Sequence, residues 1–167
     1  SEKLQKQINF MQRNKYKVSY CWAYILKKND EITVREPYLE GNIFDLMLAG
    51  QPLCNCSTLI AEKKVIEDIG GFNKLLRRGN DGDLIRRLSQ FHHIGLLKEK
   101  LVYYQVETKG LNISTNNKIG IKRSLKSYRY RLNFFNKEIK NRPFIKALIY
   151  LEISNCYAKI GFLKIAT

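Results

Sequence analysis

The chain has 167 residues, 44% of them hydrophobic and 27% charged, with a formal net charge of +15. That is the composition of a globular domain with its own core. It excludes an intrinsically disordered chain, and no run of 18 or more apolar residues offers a bilayer-spanning helix.

In chain order, Glu2 to Asn14 is predicted as a helix, with Leu4, Ile8 and Met11 spaced along one face. No strand or Gly-rich loop precedes it, so the chain is expected to begin mid-domain; its opening residues do not resemble a signal peptide. Val18 to Leu26 is rich in Val, Tyr, Trp and Ile and is predicted as a strand. Asn29-Asp30 signals a turn, and Ile32 to Tyr38 a second strand ended by Pro37. A short helix is expected over Ile43 to Leu48, a short strand over Ser57 to Ala61, and a helix over Lys63 to Ile69 stopped by Gly70-Gly71. Asp81 to Phe91 forms a stronger helix. Ile94 to Leu97 and Leu101 to Val106 are expected as two strands, and Thr108 to Asn117 as a polar loop. Ile121, Leu125, Tyr128, Leu132 and Phe135 then mark an amphipathic helix broken near Asn141-Arg142-Pro143, followed by a second from Phe144 to about Ile160. The expected fold is therefore α/β, with residues 1–115 as one unit and residues 116–167 as a basic helical pair.

The basic charge is uneven. Residues 1–115 carry a net of +5 and residues 116–167 a net of +10, with Glu138 and Glu152 the acids of the second stretch. A basic surface favours phosphates: nucleic acid, anionic lipid or a diphosphate-linked substrate. A Lys- and Asn-rich composition explains the mean charge better than it explains the asymmetry. No helix-turn-helix, zinc-finger or RNA-binding signature accompanies the charge, so nucleic acid is not the expected partner. Cys54 and Cys56 form a C-x-C pair without the second ligand pair of a structural zinc site, and adjacent His92 and His93 point in different directions. Reduced thiols are the expectation.

The chemistry-bearing stretch runs from Asn55 to Ser114. Gly70-Gly71-Phe72 either caps a helix ahead of a core phenylalanine or lets a ligand approach the backbone closely. Asp81 stands at a predicted helix N-terminus, where a carboxylate serves as a cap or as a base. Asp83 and Arg87 are one turn apart, as a solvated pair or as a pair that orients a site.

The order of these motifs resembles family 2 glycosyltransferases, which build bacterial capsule, lipopolysaccharide and other surface glycans. Ser57-Thr58-Leu59-Ile60 leads to Val65 through Asn73 with its Gly-Gly-Phe. Asn80-Asp81-Gly82-Asp83-Leu84 through Leu88 follows, then Leu101-Val102-Tyr103-Tyr104 and Asn112-Ile113-Ser114. The match covers about 60 residues at natural spacing. It implies a partial GT-A fold, a mixed sheet flanked by helices, and inverting transfer from a nucleotide-sugar to a glycan or lipid-linked acceptor. It also implies that Asp81 is the catalytic base, and that Gly70, Gly71, Phe72, Asn80, Asp83 and Arg87 surround the acceptor. Ser1 to Phe10 looks like the segment that follows the family's Asp-x-Asp metal motif. The nucleotide-binding half, with its Mg²⁺ or Mn²⁺, is therefore expected outside this chain, and the chain alone is expected to be inactive; the alternative is a non-catalytic homologue that serves as a glycan- or membrane-binding protein or scaffold.

Three positions depart from the family pattern: Asn80 stands where Glu is usual, Gln105 where Arg is usual, and Glu107 where many members place a metal-ligating His. The resemblance makes Glu107 a candidate metal ligand. It further implies a cytoplasmic protein. The basic helices add the expectation of peripheral attachment to the inner face of a membrane, against the alternative that they pack on the domain with a solvated basic face. An exposed sheet edge is expected where the missing strands would pair, and with it a route to homodimers.

Overall fold

A computed structural model describes residues 2–27, 31–53, 56–105 and 118–165, with side chains described as far as residue 161. The fold is α/β: a mixed sheet of four strands, flanked by helices among the described residues. Helix α1 (Glu2–Asn14) and strand β1 (Val18–Leu26) fall where the sequence places them. Strand β2 (Ile32–Arg35) stops short of Tyr38, because Pro37 cannot donate to a ladder and the chain turns there. Its turn signal, Asn29-Asp30, lies outside the described residues. Helix α2 (Phe44–Ala49) is followed by a 3₁₀ turn (Cys56–Thr58), strand β3 (Leu59–Ala61), helix α3 (Lys63–Asp68) and helix α4 (Asn80–Phe91).

β1 is the organising strand. β4 (Ile94–Gln105) pairs with it in parallel along its whole length, from Val18↔Ile94 to Leu26↔Gln105. β3 pairs antiparallel with Val18 to Tyr20, and β2 antiparallel with Ala23 to Leu26. A strand has two edges, so β3 and β2 share the edge opposite β4, end to end. Among the described residues β4's outer edge carries one bridge, Gly41↔Ile94.

β4 corrects the expectation of two strands. Lys98-Glu99-Lys100 interrupts the apolar run, but the chain bulges there instead of breaking. Cys21 pairs with Leu97 and Trp22 with Lys100, leaving Lys98 and Glu99 without partners in the ladder. The charges are accommodated locally. Glu99 meets Lys6 at 2.7 Å, and Lys100 meets Glu36 at 2.7 Å while lying over the Trp22 and Tyr24 rings.

The strand alternation of β1 assigns its two faces. Val18 and Tyr20 join Ile43, Met47, Leu84, Leu88, Ile94 and Leu96 in the main core, against α2 and α4. Ser19 faces α1, where the buried Gln7 donates to Ser19 Oγ (3.2 Å) and to the Thr58 carbonyl (3.0 Å).

Past the undescribed stretch come α5 (Lys118–Phe134), α6 (Asn136–Lys140) and α7 (Pro143–Ile165). The sequence anticipates the break at Pro143 but not the one at Phe135. Phe135 is fully buried, its ring 5.9 Å from that of Phe44, and the chain turns to seat it there. Phe44 and Leu48 pack with Phe135, Ile139, Ile145 and Ile149, so α2 holds the sheet core on one side and the helical layer on the other. Arg142–Asp45 (2.9 Å) and Gln90–Glu138 (2.8 Å) join the same layers at the rim. The three helices therefore pack on the α/β layer, while Phe144 (74% exposed) and Leu151 (56%) on α7 remain open.

Gly95 lies beneath the stacked Phe10 and Tyr16 rings, and a Cβ there would sit 2.6 Å from Tyr16 Cδ2. Gly95→Ala is expected to destabilise the chain by about 1–3 kcal/mol through overpacking, read as a lowered midpoint in thermal or urea unfolding.

Candidate functional site

The Gly-Gly turn is a helix stop with a defined geometry. The Gly71 N–H donates to the Ile66 carbonyl at 2.8 Å and the Gly70 N–H to the Glu67 carbonyl at 2.9 Å, the 6→1 and 5→2 pair of a Schellman motif. Both glycines are left-handed, with φ of +78° and +66°. A Cβ at either would meet no atom within 4 Å, so the outer side of the turn is open. Phe72 follows at 49% exposure, which separates it from the core phenylalanine that a plain cap would bury.

α4 begins one residue earlier than the sequence suggests. Gly79, at φ +73°, occupies the N-cap, and a Cβ there would sit 2.8 Å from Ser127 Oγ on α5. Asp81 is therefore not the N-cap. It lies half-buried in the first turn, where Oδ1 accepts the Gly82 N–H at 2.8 Å. That bond satisfies one of the free donors of the helix start. Burial first, and the Asp81 charge second, push the Cys56 thiol up.

Asp83 and Arg87 are not a solvated pair. Asp83 is fully buried, and its Oδ2 accepts from Arg87 Nε at 2.9 Å and Nη2 at 2.8 Å. The same guanidinium donates from Nη1 to the Ile69 carbonyl at 2.7 Å and from Nη2 to the Gly71 carbonyl at 2.8 Å. Arg87 thus ties α4 to the Gly-Gly turn. Gly70, Gly71, Asp83 and Arg87 form one bonded unit; Phe72 follows the turn directly, and Asn80 and Asp81 open the same helix. Glu107, Asn112, Ile113 and Ser114 lie outside the described residues, and Gln105 is exposed at the end of β4.

Two further arginines belong to this region and were not anticipated. Arg86 and Arg131 are both buried, and burial followed by the Arg131 charge pulls Arg86 down to about 10. Arg131 donates to the Leu48 carbonyl at 3.1 Å and lies 5.0 Å over the Tyr128 ring. Arg86 Nε, Asn80 Oδ1 and Asp83 Oδ1 are buried without a hydrogen-bond partner among the described residues. The signal for Arg131 was its place between Tyr128 and Phe135 on the apolar stripe; Gln7, between Leu4 and Met11, carried the same signal.

Among the described residues no group of three or more His, Cys, Asp or Glu side chains could hold a metal ion. No protein-family model matches the chain, and no curated protein matches it.

The two adjacent arginines of α4 should respond oppositely to removal. Arg87→Leu strands the buried Asp83 carboxylate and two carbonyls, and is expected to cost about 3–5 kcal/mol in urea unfolding. Arg86 holds its proton less well folded than unfolded. Its charge therefore subtracts from stability at neutral pH, and that penalty fades as pH rises past about 10. Arg86→Met is expected to leave stability within about 1 kcal/mol or to raise it.

Proposed function

We propose that this chain carries the acceptor-side and catalytic-base part of an inverting glycosyltransferase of family 2 type. Sugar would be transferred from a nucleotide-sugar to a glycan or lipid-linked acceptor. The observation that carries the reading is the Arg87 clamp, which joins the two halves of the resemblance, Gly70-Gly71-Phe72 and Asn80 through Arg87, into one rigid unit.

On this reading Asp81 takes the proton of the acceptor hydroxyl as its oxygen attacks the anomeric carbon. One Asp81 oxygen is anchored on the Gly82 N–H, which fixes the direction of the other. The open side of Gly70 and Gly71 admits a sugar, and the exposed Phe72 ring offers it an apolar face. The donor diphosphate and its Mg²⁺ or Mn²⁺ would be held by residues other than those described, and that metal would supply charge stabilisation at the leaving diphosphate.

In a longer protein that adds the donor half, Asp81→Asn should lower sugar transfer by about 10²–10⁴-fold with the unfolding midpoint unchanged. Transfer at the parental rate by that variant would sink the assignment.

A second reading, attachment to an anionic membrane surface, is supported by the open Phe144 and Leu151 on a helix that also carries Lys146 and Lys159. Among the described residues no helix is long and apolar enough to cross a membrane. Flotation with phosphatidylglycerol vesicles should carry the chain upward, and Phe144→Ser with Leu151→Ser should leave it at the bottom.

A further inference from the structure

A recess lies between the loop that leads into α4 and α5. It has a volume of about 230 Å³ and is lined by Lys74, Leu75, Leu76, Arg77, Arg123 and Lys126. Four of these six residues are cations and none is an acid. No ion pair engages any of the four among the described residues.

The loop that presents two of them is held in place. Asn73 Oδ1 accepts the Leu75 N–H at 2.9 Å, and the Asn73 carbonyl accepts the Leu76 N–H at 3.1 Å. Leu76 is buried, and a Cβ on Gly79 would meet Ser127 Oγ of α5 at 2.8 Å. Arg123 and Lys126 are three apart on α5 and so share a face. Four like charges gathered around one recess make its potential positive, which favours an anion.

We infer that this recess binds a phosphate or diphosphate group. Arginine's planar fork suits phosphate oxygens, and two of the four cations are arginines. The volume is below the roughly 300–1,000 Å³ of sites that enclose a drug-sized ligand, which fits a charged group rather than a whole molecule. Arg77 stands four residues before Asp81, and Lys126 adjoins Ser127, which touches Gly79 at the start of α4. A phosphate here would lie against the loop that leads into the helix of the proposed base. Its assignment as the phosphate of a lipid- or ester-linked acceptor rests on the glycosyltransferase reading; the binding itself does not.

The test is titration of the chain with sodium pyrophosphate, followed by amide chemical shifts. Saturable binding is expected, with the largest shifts in residues 74–79 and 122–127. Arg77→Gln with Arg123→Gln should weaken it by more than about tenfold, as loss of two charge-assisted contacts implies. Lys137→Gln with Lys140→Gln, an equal loss of charge on α6, should not. If the arginine pair fails to fold, Lys74→Gln with Lys126→Gln, both exposed, takes its place. Equal weakening by the α6 pair, or no saturable binding, overturns the proposal. Binding to phosphatidylglycerol vesicles without binding to pyrophosphate also overturns it, because the charge then serves a surface and not a site. Loss of transfer in Asp81→Asn is read separately, so either idea can fail alone.

Discussion

The Arg87 guanidinium is the constraint on which the candidate site depends. A buried cation is costly unless its charge and its donors are matched. Arg87 meets both demands with one helical turn of its own helix and one turn of the chain before it. Asp83 supplies the opposite charge, and the carbonyls of Ile69 and Gly71 take two donors. Those carbonyls are free to accept because the Schellman geometry turns the chain away from α3 at Gly70 and Gly71. The two glycines, the acid and the arginine are thus mutually dependent. Position of the turn relative to Asp81 follows from them, with no contribution needed from the flanking loops.

The same economy governs α2. Six residues long, it could not stand alone as a helix. It persists because Met47 faces the sheet core while Phe44 and Leu48 face the helical layer, and because Arg131 bonds the Leu48 carbonyl at its end. Gly50 is required there in two ways. Its φ of +97° is left-handed, and a Cβ would come within 2.9 Å of Arg131 Nη1. α5 therefore reaches the sheet through α2.

Much of this was legible in the sequence, and the reasons differ by element. α1 and α4 declare themselves through the spacing of their apolar residues and β1 through its Val, Tyr, Trp and Ile content, although Asp83 through Ser89 of α4 and Val18 through Cys21 of β1 are all buried. The Gly-Gly stop was legible because left-handed turns select glycine. The continuity of β4 was not, since a run of Lys-Glu-Lys looks like a strand end until the bulge and its partners Lys6 and Glu36 are known. The turn at Phe135 was hidden for a similar reason: it is decided by Phe44, ninety-one residues earlier. At the site, the pairing of Asp83 with Arg87 was legible from spacing, but its burial and its grip on the Gly-Gly turn were not. Arg86 and Arg131 were counted only as charge. Nothing in their local sequence separates a solvated arginine from one that closes the core, except that Arg131 interrupts an apolar stripe.

That last point changes what the basic excess means. The net charge of +10 in residues 116–167 suggests a solvated basic face, yet its cations serve three different ends. Arg131 is buried as a structural tie, and Arg142 caps the Glu138 carbonyl and pairs with Asp45. Arg123 and Lys126 have no such partner among the described residues and face a recess with Lys74 and Arg77. Charge that is matched holds layers together; charge gathered without a match makes a positive surface that favours anions. By that criterion the loop before α4 and the first turns of α5 are where the excess retains a purpose beyond stability. Their junction at Gly79 and Ser127 lies at the start of the helix that carries Asp81.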